Sequence, residues 1–355
     1  MNVEPLRVLI VDDSRIFRGV IEDALATRND VQVVGSVWSG EKALELARRS
    51  LPDFVTLDIE MPGMGGIATL KALRDLGRAQ NRTVGVLLVS SYTHQGAAIT
   101  IEGLQEGAFD FIPKPESPDT AANAESLRQQ LFAKINAFCS RRHIEPSASL
   151  PATRSMATIQ RPTRFRAVVI GSSTGGPEAL ARLLPDLVPV CPVPMFLVQH
   201  LPANFTGYFT SSLSRRPGIR AVEACEGIIA EPGVIYVAQG GKHLVLNKVD
   251  GQVAVGLSDS PPENGCRPAV DVLFRSASVA YSGNVLAVVL TGMGSDGAKG
   301  AAVLKRAGAR VFVQDEATSI VWGMPGSVVA AGAADEVLPI GEIAHALLAH
   351  LGIGS

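Results

Sequence analysis

Ser173, His200 and Asp296 lie far apart in the chain, yet each follows a short apolar run. Ser173 is the centre of Gly171-Ser172-Ser173-Thr174-Gly175, a G-x-S-x-G spelling continued by Gly176, Pro177 and the periodic run EALARLL. Small residues there permit a sharp strand-to-helix turn that lifts one hydroxyl above a sheet, near backbone N–H groups and the positive end of a helix dipole. Such a hydroxyl is a nucleophile only if a base takes its proton. His200, at the end of MFLVQH, and Asp296, after VLAVVLTG, offer an imidazole and a carboxylate to orient it. The order Ser, His, Asp differs from the Ser, Asp, His of α/β-hydrolases, so that fold is not implied. The glycine-rich turn also fits a phosphate-binding loop. Gly292-Met293-Gly294-Ser295-Asp296-Gly297 spells the dinucleotide fingerprint, with the acid Asp315 after the next apolar run. On the residues alone these alternatives stand beside a serine esterase.

A second constellation occupies the first half. Asp12 and Asp13 follow LRVLIV, Asp58 ends FVTLD, and Ser90 and Lys114 close two further apolar runs. Carboxylates converging on one rim repel unless a cation sits among them, and hard oxygen ligands with room for water suit Mg²⁺. A phosphoryl group could then attach to Asp58, its charge taken up by the metal, Ser90 and Lys114.

Both constellations need strand ends gathered on one sheet edge, and the patterning supplies them. From Leu6 onward, β-branched runs (LRVLIV, VQVVGSV, FVTLDI, GVLLVSS, FDFIPK) alternate with helix-period stretches. That repeat predicts a parallel sheet covered on both faces. After a Pro- and Arg-containing stretch over 141–165 the alternation resumes with RAVVIG, MFLVQH, VIYVAQ, NVLAVVLTG and ARVFVQ. Within it, HLVLNKVDGQVAVGL carries Asp-Gly between two alternating runs, a hairpin signal. The 355 residues predict two domains, read as 1–138 and 165–355 around a tether at 139–164.

Composition narrows the class. With 46% hydrophobic and 19% charged residues the chain can bury real cores, so disorder is excluded for most of it. A formal net charge of -2 supplies no field for a polyanion, so nucleic acid is not the expected partner. Cys139, Cys191, Cys225 and Cys266 form no C-x-x-C pair and read as reduced thiols. No run is long enough for direct membrane insertion and the opening residues do not spell a signal peptide, so the expected location is cytoplasmic.

The first half resembles a response-regulator receiver domain through IVDDS, LDIEMPGMGG, VSS and KP, in that order. The resemblance implies a flavodoxin-like (βα)₅ fold and Asp58 as phospho-acceptor fed by a histidine kinase. It further implies Asp12, Asp13, Asp58 and the Glu60 carbonyl around Mg²⁺, and Ser90 with Lys114 as the conformational couple. Gly65, where the family usually has aspartate, and Pro113 depart from its pattern. The second half resembles the chemotaxis protein-glutamate methylesterase (CheB) family through GSSTGGPEAL, VQHLPANFT, GVIYVAQGGKHL, RPAVDVLF, LTGMGSDGAKG and VWGMPGSV. This implies a doubly wound α/β domain with an antiparallel hairpin, in which Ser173 is nucleophile, His200 general base and Asp296 the orienting acid. The Thr174 and Met293 amides would form the oxyanion hole, and the esterase would need no cofactor. The expected activity is phosphorylation-activated hydrolysis of glutamate methyl esters on chemoreceptor cytoplasmic helices, with glutamine deamidation beside it. Phosphorylation is expected to act by changing how the first domain packs over the rim that holds Ser173. Ser172 stands where alanine is common in the family, and Cys266 where histidine is often found. The alternative is a phosphorylation-dependent docking module without turnover.

Overall fold

The computed structural model describes residues 4–91, 93–114, 120–142 and 165–353. The chain divides into two compact units, Met1–Ile144 and Glu145–Ser355.

In the first unit, β1 (Leu6–Val11), β2 (Val31–Val37), β3 (Phe54–Asp58), β4 (Gly85–Ser90) and β5 (Asp110–Pro113) form one sheet in the order β2-β1-β3-β4-β5. Every pairing in it is parallel. The central strands β3 and β4 are buried at every position, as unbroken β-branched and aliphatic runs between two helical layers must be. Ser14, Ser39 and Thr93 cap the helices that follow β1, β2 and β4, each accepting from an amide of the first turn. This is the five-stranded, doubly wound arrangement expected for the first half. The helix Thr120–Arg142 runs through Cys139 into the stretch read as a tether, and the rest of that stretch, 143–164, lies outside the described residues.

The second unit holds β6 (Ala167–Ser172), β7 (Met195–Gln199), β8 (Arg220–Glu223), β9 (Val234–Val237), β10 (His243–Val249), β11 (Gln252–Ser258), β12 (Val285–Val289), β13 (Arg310–Gln314) and β14 (Glu336–Leu338). Seven of these make a parallel sheet in the order β14-β13-β12-β6-β7-β9-β8. β10 and β11 pair apart from it as an antiparallel hairpin, turning on Asp250 (φ 49°) and Gly251 (φ 82°) as the Asp-Gly signal predicts. The hairpin packs against the helix Val270–Ala280, where Leu246 N–H donates to Ser276 Oγ at 3.1 Å. Phe196, Tyr236, Phe274, Leu244 and Val255 join one buried cluster between sheet, hairpin and helix. Each such side chain contributes about 1.5–3 kcal/mol of burial free energy, which fixes the helix start beside the sheet edge.

The chain reverses direction across the sheet at β6, with β7 on one side and β12 on the other. Loops leaving the carboxyl ends of strands around such a switch point diverge and leave a crevice. Ser173, His200 and Asp296 all leave those three strand ends.

Candidate active site

Ser173 follows β6 directly. Its N–H donates to Thr291 carbonyl at 3.1 Å and its own carbonyl accepts from Gly176 N–H at 2.8 Å, closing a tight turn into the helix Gly176–Leu187. Gly175 takes φ 76° in that turn, and a Cβ there would lie 2.5 Å from Ile320 Cβ, so only glycine fits. The neighbouring hydroxyl is committed elsewhere: Ser172 Oγ is buried and donates to Gln199 Oε1 at 2.7 Å. Ser173 is half-buried, and its hydroxyl has no hydrogen-bond partner among the described residues. Gln199 Nε2 donates to the carbonyls of Ser173 (3.0 Å) and His200 (3.3 Å), stitching the serine turn to the histidine. Nothing in the residue pattern singled out Gln199.

His200 Nε2 lies 2.9 Å from Asp296 Oδ2, with the two side chains 12% and 2% exposed. The other ring nitrogen, Nδ1, faces Cys266 Sγ at 3.6 Å. The structure thus joins the expected base and acid directly, while the link between Ser173 and His200 is not made in this arrangement.

Asp296 is held by more than the histidine. It accepts from the amides of Val270 (2.6 Å), Asp271 (3.0 Å) and Gly297 (3.0 Å), and from Asn264 Nδ2 (2.9 Å). Val270 and Asp271 open the helix Val270–Ala280, so the carboxylate sits on a helix N-terminus. Burial pushes the Asp296 carboxyl up, but the His200 bond, its charge and these amides outweigh burial and hold it below the usual carboxylate value. Burial alone would lower the His200 imidazole; the Asp296 hydrogen bond, followed by Cys266, raises it to about 9. The cationic form of the imidazole is therefore favoured, and only the neutral fraction of the ring can take a proton.

The expected oxyanion donors flank Ser173. Thr174 is buried, and its carbonyl accepts from Thr291 Oγ1 at 2.9 Å. Gly292 is fixed by its amide to Val321 carbonyl (3.0 Å) and by its carbonyl to the amides of Gly323 and Met324. The next amide, that of Met293, has no hydrogen-bond partner among the described residues. The glycine-rich loop of the dinucleotide spelling is therefore packed on Val321–Met324, with Asp296 turned toward His200. Asp315, the acid of that spelling, instead accepts from Thr318 N–H at 3.0 Å.

In the first unit, oxygens of Asp12, Asp13 and Asp58 lie within 4.8 Å of one another. Lys114 Nζ stands 2.8 Å from Asp58 Oδ2 and 2.9 Å from Asp12 Oδ2. The Asp12 contact lacks hydrogen-bond geometry, which leaves a buried Oδ2 without a hydrogen bond. Burial and the Asp58 charge push the Asp12 carboxyl up, and burial opposes but does not prevent a raised Lys114. An under-satisfied carboxylate oxygen among three converging acids fits a hard divalent cation. Ser90 Oγ accepts from Thr100 Oγ1 at 2.6 Å and donates to Ser91 carbonyl. Glu60 N–H donates to Asp58 Oδ1 at 3.0 Å, and its side chain accepts from Ser91 and Thr93 hydroxyls.

Comparison with known proteins follows the same division. Residues 168–347 match the CheB methylesterase family, and residues 8–124 match the response regulator receiver domain, a class whose phosphorylation depends on Mg²⁺. A protein-glutamate methylesterase/protein-glutamine glutaminase of Nocardioides sp. is 42% identical over 98% of this chain and 95% of its own. One of the same name from Rhodopseudomonas palustris is 41% identical over 97% of this chain and 94% of its own. The crystal structure of the Thermotoga maritima CheB methylesterase catalytic domain is 41% identical, covering 52% of this chain and 98% of its own, with a TM-score of 0.51. With the catalytic half matched to the family and full-length relatives at this identity, the chain belongs to the CheB methylesterase family, behind a response regulator receiver domain.

Proposed function

We propose that the second unit is a serine hydrolase that removes methyl esters from protein glutamates and deamidates protein glutamines, and that the first unit controls it by phosphorylation. The observation that carries this reading is the His200–Asp296 pair at 2.9 Å beside the strand end that bears Ser173. A docking module without turnover has no use for an imidazole held by a carboxylate on a helix N-terminus.

In the reaction, Ser173 Oγ attacks the ester carbonyl carbon while His200 takes the hydroxyl proton. Since Nε2 is committed to Asp296, Nδ1 is the nitrogen that receives it. The carbonyl oxygen, now negative, accepts from the Thr174 and Met293 amides. His200 returns the proton to the departing methoxide, and methanol leaves. Water then attacks the acyl-enzyme with His200 again as base, restoring the serine and freeing a glutamate carboxylate. A glutamine side chain follows the same course with ammonia as the leaving group.

The substrate would be a methylated helix of a chemoreceptor's cytoplasmic region, and the phosphodonor a histidine kinase. Asp58 would accept the phosphoryl group. Asp12, Asp13, Asp58 and the Glu60 carbonyl would hold Mg²⁺, which supplies charge neutralisation at the transferring oxygens. Ser90 and Lys114 would then turn toward the phosphoryl oxygens. No described helix is long and apolar enough to cross a membrane.

The test is methanol release from methylated receptor, with and without a small phosphodonor. Ser173→Ala should abolish methanol release while Asp58 still takes up phosphate; full residual release from that variant would overturn the assignment.

A further inference from the structure

The turn Glu263–Cys266 touches both partners of the base–acid pair, and only one of its contacts has a task so far. Glu263 and Cys266 bond each other in both directions (N–H to carbonyl, 3.0 and 2.9 Å) across Asn264 (φ 53°) and Gly265 (φ 75°). Both central residues are left-handed, as a two-residue hairpin turn requires. The turn is pinned at its base by Arg275, whose guanidinium donates to both Glu263 oxygens at 2.8 and 2.5 Å. From this fixed frame Asn264 reaches Asp296 Oδ1 and Asp271 Oδ2, both at 2.9 Å, and Cys266 presents Sγ to His200 Nδ1 at 3.6 Å.

Resting on the esterase reading above, we propose that Cys266 is a positioning residue that occupies the proton-accepting nitrogen of His200 in the resting enzyme, so that the thiol and the Ser173 hydroxyl compete for it. Three observations support this. Nε2 is taken by Asp296, leaving Nδ1 as the one open nitrogen. Nδ1 faces a sulfur within hydrogen-bond range, while Ser173 Oγ is without a partner among the described residues. The sulfur sits on a braced turn rather than on a free loop, so the contact is built by the fold. Cys266 is one of the groups that favour the protonated imidazole, which agrees in sign with a restraint on the base.

The pairing has a chemical signature separate from turnover. A thiol touching an imidazole reacts faster with soft electrophiles when the imidazole accepts its proton. With iodoacetamide, where the ring is neutral, the thiol proton passes to His200 Nδ1 and on to solvent, the Cys266 sulfur attacks the methylene carbon, the C–I bond breaks and iodide leaves. The added carboxamidomethyl group then stands beside Nδ1 and blocks Ser173 from it.

The experiment uses the full chain and follows labelling of each cysteine by peptide mass spectrometry alongside ester hydrolysis. We expect esterase loss to track Cys266 labelling, Cys266→Ala to keep its own activity under the same treatment, and His200→Gln to slow Cys266 labelling several-fold. Cys266→Ala and Cys266→Ser should both move the acid limb of the kcat/KM–pH profile to lower pH, the alanine further. Cys139, Cys191 and Cys225 are present in every variant and serve as internal references. Equal Cys266 labelling rates with and without His200, or an unmoved acid limb in both cysteine variants, would overturn the proposal. If no hydrolysis is seen in the parent chain, the esterase reading fails, while the effect of His200 on labelling still reports on the pair.

Discussion

His200 Nε2 and Asp296 Oδ2 meet at 2.9 Å although 96 residues separate them in the chain. The acid is itself fixed by three backbone amides and Asn264, so it can orient the ring without moving. Asp296→Asn should keep the fold and lower kcat by roughly 10²- to 10⁴-fold, because an amide cannot hold the required tautomer or stabilise the imidazolium. Steady-state ester hydrolysis, with circular dichroism to check folding, measures this.

The same pair predicts two pH dependences. Since the base must be neutral to act, hydrolysis should rise with pH through the ordinary imidazole value of 6.5 toward about 9. For stability, a raised imidazole contributes fully below its unfolded value and loses that contribution as pH rises through about 9. The lowered Asp296 contributes above its unfolded value of 3.8, and that part is lost as pH falls through the lower folded one. Thermal melts of parent and His200→Gln should therefore differ most between these limits and converge above pH 9.

Gly292 abuts the serine. A Cβ there would lie 2.8 Å from Ser173 Cβ and press on Met324 Sδ. Gly292→Ala should cost about 1–3 kcal/mol as an overpacked site and depress hydrolysis far more than a stability change of that size explains. Denaturant titration beside kcat/KM separates the two effects.

In the first unit, Asp12 resists ionisation through burial and the Asp58 charge, so Mg²⁺ binding should weaken in acid as that carboxyl takes a proton. Chelation with EDTA should stop phosphate uptake from a small donor, and Asp58→Asn should stop it with Mg²⁺ present. Phosphoprotein mass spectrometry reads both.

Restraint by the receiver unit predicts that a chain beginning at Arg161 hydrolyses ester faster than the unphosphorylated whole. Equal rates in a direct comparison would count against restraint.

Much of this was legible in the residues because parallel strands buried on both faces read as unbroken apolar runs, which marked the ends bearing Asp58, Ser173 and His200. The strands β8 (RAVE) and β14 (EVL) leave no such signal: they are four and three residues long, lie at sheet edges, and are largely exposed or half-buried. Asn264 escaped because its partner Asp296 is 32 residues away and no spacing rule links a turn residue to a distant loop. Gln199 read as one more position in a strand, although its amide ties two loops together. Of the two adjacent hydroxyls, the G-x-S-x-G spelling centres on Ser173, and the structure adds what no spelling carries: Ser172 is 0% exposed and already bonded to Gln199.

The central claim is that Ser173 is an activated nucleophile, and a fluorophosphonate probe tests it most directly. Peptide mass spectrometry after labelling of the full chain should find the adduct on Ser173, and labelling should be lost in His200→Gln. An adduct on Ser172, or no adduct on a folded chain, would contradict the account.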